Sequence, residues 1–464
     1  MGAISSRDHM TSSAANGKEH PTEFYDEVER DCFFLPEGTR VLGCQEELST
    51  LLCADEGVAL IVHLGRECTT HYVWLDHVRH YRHMYPRFSR LPMRRTRGNF
   101  YMLEASNLEL MLGKEQRIRS VIKRALEHEA TKIVVLVTTC VAEMVGLRLE
   151  DILEQEAGGS GVPAFCIELT IDQNLPLSDM WYNLLMLARP RRRSDSQRVN
   201  LLGFGELDSV FGREVNEILK LCGMTLNAWL VPEFDTAMAE GFLAAGTSLV
   251  CSSDLAEQET WGIRQRFPAA KFLDVPPPFG PEACWHLYRA IVKAGGKKGV
   301  PSSVRKIWVR WYERWLEAAG PCANWKVGFV LRPGDEKYLL EPGRYHGLDP
   351  IRILREMGFG VLVHFLGGEK QAEALRHRLE LRYDFDRKVQ VVAHGKREQI
   401  DEVLKASPAR LFFTDYEPDW RILKAGKVPL TRYRFEPGMA GAYKTARTLS
   451  RMASSGTGRW GIYS

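Results

Sequence analysis

From Val58 to the C-terminus, short apolar runs alternate with stretches of helical periodicity, and this alternation constrains the fold more than any other feature. Residues 132–137, a Lys followed by Ile-Val-Val-Leu-Val, read as a buried strand, and a helical pattern through Glu143, Leu147 and Ile152 follows. Residues 199–205 form a second such run and lead into a helix near 209–222. Further strands are expected at 226–231, 247–251, 271–275, 326–331, 360–365, 389–393, 410–414 and 428–433. Strands that alternate with helices of ~10–15 residues build parallel sheets with helices on both faces. The expected fold is therefore α/β, in Rossmann-like doubly wound units with parallel sheets.

At 464 residues and ~150 residues per domain, the chain has room for about three such units. Residues 1–22 are Ser/Ala/Gly-rich and aperiodic, which predicts a flexible tail. A Lys/Gly/Pro/Ser stretch at 294–303 reads as a linker. The expected division is 23–195, 196–300 and 301–464. No apolar run approaches the ~18 residues of a membrane span, and the N-terminus lacks an apolar signal core. A cytoplasmic chain without a membrane partner is expected. With 62 basic and 59 acidic residues the net charge is +3, which gives no electrostatic reason to expect nucleic acid.

The ten cysteines lie at 32, 44, 53, 68, 140, 166, 222, 251, 284 and 322, with no CxxC pair among them. A disulfide framework is not expected in a non-secreted chain of this size. Cys68 follows the apolar run at 58–62, and Cys140 stands between a strand and a helix. A helix N-terminus carries positive potential, which lowers a thiol's pKa and makes it a better metal ligand. Cys44, Cys68 and Cys140 are 24 and 72 residues apart, too wide for a local metal knuckle. A shared site has to be assembled by tertiary folding. On spacing alone, buried packing cysteines remain the alternative.

The segment TTCVAEMVGLRLEDIL (138–153) resembles the cluster-ligating turn of the nitrogenase component 1 family, where a strand ends in TTC and a Glu and a Gly precede an acidic helix. GCQEELSTLL (43–52) resembles the family's first ligand segment, and HLGREC (63–68) stands where the family has HGxxGC. NLELMLGKEQRI (107–118), TSLVCS (247–252) and PPPFGPE (276–282) resemble later family segments in order, the last including its FGP turn. Two family glycines around the second ligand are altered, with Leu64 at the first and Glu67 at the second.

The resemblance implies a nitrogenase component 1 type fold of three doubly wound units. It also implies that Cys44, Cys68 and Cys140 hold an iron–sulfur cluster at the interface with a homologous partner subunit, in a heterodimer that pairs to an α2β2 heterotetramer. A 4Fe–4S cubane needs four protein ligands, so three cysteines call for a second chain; in nitrogenases proper each subunit gives three to an 8Fe–7S P-cluster. Electrons would come from a separate ATP-dependent homodimeric iron protein, consistent with the lack of a Walker A sequence here. In the family's catalytic chain a middle-domain cysteine and a C-terminal histidine hold a large iron–sulfur cofactor. Cys251 matches the cysteine, but the last histidine is His394, so the chain resembles the beta-type subunit, with any such cofactor in its partner. Among the branches, methylthio-alkane reductase, which cleaves C–S bonds, is favoured. The rivals are a dark-operative protochlorophyllide-type reductase subunit and a cofactor-assembly scaffold.

Three other motifs have plainer readings. His71, His77, His80 and His83 are interleaved with Arg79, Arg82 and Arg87, which fits a basic helix better than a metal site. GFGELD (203–208) lacks the third glycine of a dinucleotide turn and reads as a tight strand–helix connection. Trp308, Trp311 and Trp315, at three- and four-residue spacing, suit a domain-bridging or subunit-contact helix.

Overall fold

A computed structural model describes residues 33–34, 51, 54–65, 99–105, 115–139, 142, 146–169, 177–190, 194–205, 207–231, 233–252, 254–340, 347–383, 389–395, 400–416 and 419–455. The described strands form three wholly parallel sheets.

The first sheet contains β1 (Val58–Gly65), β2 (Phe100–Ala105), β3 (Ile133–Thr139) and β4 (Ala164–Leu169), in the order β2-β1-β3-β4. Helices α1 (Glu115–Leu126) and α2 (Leu149–Ala157) cover one face, packing Ile118, Ile122, Ile152 and Leu153 on Ala59, Ile61, Val134 and Leu136. Of the helix expected through Glu143, Leu147 and Ile152, the described residues show Ala142 in helical conformation and a helix from Leu149 that includes Ile152, while Glu143 lies outside the described residues. Gly146, with φ +66°, turns the chain before Leu149.

After α3 (Leu177–Leu184), the middle sheet contains β5 (Asp195–Leu202), β6 (Thr225–Leu230), β7 (Ala245–Cys251) and β8 (Phe272–Val275), in the order β6-β5-β7-β8. Its helices are α4 (Val210–Leu221), α5 (Thr236–Glu240), α6 (Asp254–Arg266) and α7 (Pro281–Ala294). Leu60, Val62, Leu64, Val135 and Val137 of the first sheet share one core with Leu202, Ala228, Leu230 and Val250 of the middle sheet, with Trp181 and Leu184 of α3 between them. Asp55 ties the two sheets further, accepting hydrogen bonds from Thr236 N (3.1 Å) and Oγ1 (2.6 Å). The opposite face of the middle sheet packs Val199, Leu201, Trp229 and Leu249 against Val215 and Ile218 of α4 and Leu287 and Ile291 of α7.

Residues 295–301 join α7 to α8 (Ser302–Ala319). The third sheet then contains β9 (Lys326–Leu331), β10 (Gly360–Phe365), β11 (Val389–Ala393), β12 (Leu411–Phe413) and β13 (Val428–Leu430), ordered β11-β10-β9-β12-β13. Helices α9 (Pro350–Glu356), α10 (Glu369–Tyr383) and α11 (Ile400–Ala406) connect them, and α12 (Gly438–Ser455) closes the described chain. The strand expected to reach residue 433 stops at Leu430 and passes into a 3₁₀ turn at Arg432–Arg434. The tryptophan helix α8 bridges two cores: Trp308, Trp311 and Tyr312 lie on the middle core, and Trp315 and Ala319 belong to the third. The last helix does the same, with Met439 in the middle core and Leu449 and Met452 in the third. No helix among the described residues is long and apolar enough to cross a membrane.

Candidate functional site

In doubly wound sheets ligands gather beyond the carboxyl ends of the strands, where the strand order reverses. Each sheet here has one such point: between β1 and β3, between β5 and β7, and between β9 and β12.

At the first point β1 and β3 run side by side, with His63 opposite Thr138. β1 ends at Gly65 and β3 at Thr139, so the chain leaves two adjacent strand ends toward Cys68, three residues on, and Cys140, the next residue. Cys44, Cys68 and Cys140 themselves lie outside the described residues, as do Cys53, His71, His77, His80 and His83. What the fold positions is the pair of strands that leads into two of the three cysteines. Leu64, which takes a family glycine's place, is buried in the core shared with the middle sheet. Side chains alternate along a strand, so His63 points to the other face, toward α1.

His63 is the unusual residue of this edge. It is 3% exposed, and its buried Nδ1 has no hydrogen-bond partner among the described residues. Such an unmet polar group costs about 1–3 kcal/mol, and native structures hold few of them. Burial, with a contribution from the Arg117 cation, lowers the ring's pKa and keeps it neutral. Arg117 stands in the first turn of α1 and donates to the Glu104 carbonyl at the end of β2 (3.0 Å). Thr138, opposite His63, is also buried.

At the second point, Gly203 and Gly205 both adopt φ +82°, a conformation that explains the choice of glycine. Trp229 Nε1 donates to the Gly205 carbonyl (2.6 Å), and Glu233 Oε1 accepts from Leu207 N (3.1 Å). Ser209 Oγ caps α4 by accepting from Gly212 N (3.0 Å). The chain's own groups thus occupy the polar positions of this turn, in line with a strand–helix connection. Cys251 ends β7 at 4% exposure, on the face packed by α4 and α7, within the core that includes Trp229, Leu249 and Val275. Among the described residues, no group of three or more His, Cys, Asp or Glu is arranged to hold a metal ion.

The third point is filled by the chain itself, which the sequence reading missed. Phe33 O accepts from Asp415 N (2.9 Å) and from Thr414 Oγ1 (3.3 Å), and Arg421 lies 4.1 Å over the Phe33 ring. Phe34 stacks on Tyr338 at 5.0 Å. Two adjacent phenylalanines just after a polar stretch were the available signal. A second missed group is buried beside β10: His364 Nδ1 lies 3.0 Å from His394 Nε2, and His364 Nε2 lies 2.9 Å from Ser407 Oγ.

A family model described as "Nitrogenase component 1 type Oxidoreductase" matches residues 55–437. Two solved structures, titled "Nitrogenase Cp1 at pH 5" and "Nitrogenase Cp1 at pH 6.5", each align with a TM-score of 0.57 and 11% identity. Each alignment covers 87% of this chain and 88% of that one. At that identity the likeness is one of fold. No curated protein matches the chain by sequence.

Proposed function

The chain belongs to the nitrogenase component 1 type oxidoreductase family, and on that premise we propose that it is the beta-type subunit of a nitrogenase-like reductase, holding an iron–sulfur cluster with Cys44, Cys68 and Cys140. The observation that carries this reading is the β1–β3 register, His63 against Thr138, because it starts the Cys68 and Cys140 segments from neighbouring strand ends at a point of strand-order reversal. The orphaned Nδ1 of His63 at the same edge supports it: a polar atom is held dry there without a protein partner. Three thiolates leave a cubane one ligand short, so a homologous partner subunit completes the site, and α2β2 is the assembly this favours.

When bound, the cluster supplies one-electron transfer, with charge spread over several irons so that little structure rearranges. The protein's part is to hold and insulate it. Cys44, Cys68 and Cys140 would ligate as thiolates, and the ends of two central strands fix where the Cys68 and Cys140 segments start. Beneath the site, the apolar layer shared by the first two sheets excludes water and lowers the local dielectric, one of the ways a protein sets cluster potential. Held there, such a cluster would relay electrons from an ATP-dependent iron protein toward a catalytic metallocofactor in the partner subunit. Cys251, packed in the middle core, is assigned to packing rather than to that cofactor.

Reductive C–S cleavage of methylthio-alkanes is the substrate class we favour, on the altered HLGREC segment and the lack of any histidine after His394. Anaerobic co-purification with the partner subunit, iron quantitation and electron paramagnetic resonance test the cluster reading. About eight irons per heterodimer, beyond any cofactor, mark the larger cluster and about four a single cubane. A well-folded heterodimer free of iron would refute it.

A further inference from the structure

We propose that the joint between the middle and third units is proton-linked: a neutral Glu356 carboxyl holds it shut, and ionisation of that carboxyl loosens it. Glu356 ends α9. Arg352, one turn earlier, donates from Nη1 to Glu356 Oε1 (2.5 Å) and from Nη2 to the Phe279 carbonyl of the middle unit (2.9 Å). Gly438 N, at the start of α12, donates to the neighbouring Pro278 carbonyl (2.8 Å). The third unit thus grips the segment before α7 at two points. At this joint Glu356 Oε2 is buried and has no hydrogen-bond partner among the described residues. It lies against Gly280, which precedes α7 at φ +84° and leaves no room there for a Cβ. Gly280 also lines a small cavity, together with Trp315, Ile353, Met357, Glu436 and Thr445.

A carboxyl oxygen without a donor is tolerable only while it carries little charge, because a buried charge that lacks hydrogen bonds costs far more than a neutral group. Among the described residues, the charged and titratable groups around Glu356 are Arg352 and Asp349 of its own helix and Glu282 and Cys284 of α7. Glu436, on the cavity wall, is paired with Lys444. Burial is the largest influence and pushes the Glu356 pKa up to about 7; Arg352 opposes the rise, and Glu282 and Asp349 add to it. Once ionised, Oε2 gains most from water, and water reaches it when α9 parts from Gly280, beside a cavity where the packing is already incomplete. In the open joint the hydrated carboxyl returns to its ordinary pKa of ~4.3. The closed joint therefore holds the extra proton between the two values. Its advantage is complete below that window and is lost as the pH rises through about 7.

Hydrogen–deuterium exchange on the purified full-length protein at pH 6 and pH 8.5 tests this, with each rate divided by the intrinsic rate at that pH. Opening of residues 279–284 and 352–357 should rise on the order of tenfold between the two values, while β9 stays level. Glu356→Gln keeps the shape of the side chain and cannot ionise, so in that variant the same two segments should stay level as well. A flat wild type overturns the proposal, as does a Gln variant that keeps the tenfold rise. Where the Gln variant does not fold, the wild type decides alone: a rise confined to the two segments supports the proposal, and a flat profile or a rise throughout the molecule overturns it.

Discussion

His63 and His364 are both buried near strand ends, but only His364 is enclosed by partners on both ring nitrogens. Ser407 Oγ accepts the Ala409 N–H (3.2 Å) and has its own proton for His364 Nε2. That assigns the His364 proton to Nδ1, which donates to His394 Nε2. Among the described residues, the groups that face this ring include His394, Ser407, the Phe412 ring and the Lys427 cation. Burial, then His394 and Lys427, push the His364 pKa down to about 4. Because the unfolded ring takes up its proton near ~6.5, the unfolded state binds more protons between these values. The contribution of neutral His364 to stability is then complete above pH 6.5 and lost as the pH falls through about 4. The loss is on the order of 3 kcal/mol. Urea unfolding at pH 7 and pH 4.5 should show this loss, and His364→Gln should lower stability at pH 7 while reducing the pH dependence. His394, lowered by its own burial, acts in the same direction.

At the scale of elements, the joints between sheets carry most of the buried polar chemistry. Glu214 of α4 accepts from Tyr288 Oη (2.7 Å), Met439 N (2.9 Å) and Ala440 N (3.0 Å), so a carboxyl of the middle unit caps the last helix. Burial raises its pKa, and the bonds from Met439, Ala440 and Tyr288 oppose the rise. Gly438, at φ +85°, has no room for a Cβ, which would meet Phe211 at 2.8 Å and Glu214 at 3.0 Å. Glu214→Ala strands the buried Tyr288 and Met439 donors and the half-buried Ala440 N–H, and should cost about 3 kcal/mol, seen as a lower urea midpoint. Gly328 of β9 makes a similar demand: a Cβ there would meet the Phe412 ring at 2.4 Å. Gly328→Ala should therefore lower stability by about 2 kcal/mol, read by thermal unfolding.

The same elements explain what could be read from the residues alone. Strands at 326–331, 360–365 and 389–393 match their apolar runs residue for residue. The first two are covered on both faces, as interior parallel strands are. The two strands missed, β2 and β4, lie at the edges of the first sheet. There Phe165 and Ile167 are buried while Glu168 is exposed, and Met102 is exposed beside buried Leu103, so neither segment reads as an apolar run. The proposed cysteine site could not be derived from spacing, because the register that sets the ends of β1 and β3 side by side is a matter of tertiary pairing. In the sequence His63 stands out only as part of the HLGREC motif, since nothing in a sequence reports that a buried nitrogen lacks a partner.

Over the whole molecule, three sheets repeat one plan, and their three switch points are treated differently. Phe33 and Phe34 fill the third, and the glycine turn, Ser209 and Glu233 close the second. At the first, His63 Nδ1 is buried without a partner where the chain leaves toward Cys68 and Cys140. The sheets do not fold as separate beads: the first two share a core, and α8 and α12 each span the middle and third cores. This coupling anchors the strands β1 and β3, from whose ends the proposed ligand segments start. The most direct test of that central claim is iron content in Cys68→Ala and Cys140→Ala, each co-purified anaerobically with the partner subunit. The account predicts that both lose the cluster's iron and its paramagnetic signal while the subunit stays folded. Wild-type iron and wild-type heterodimer yield in both variants would contradict it.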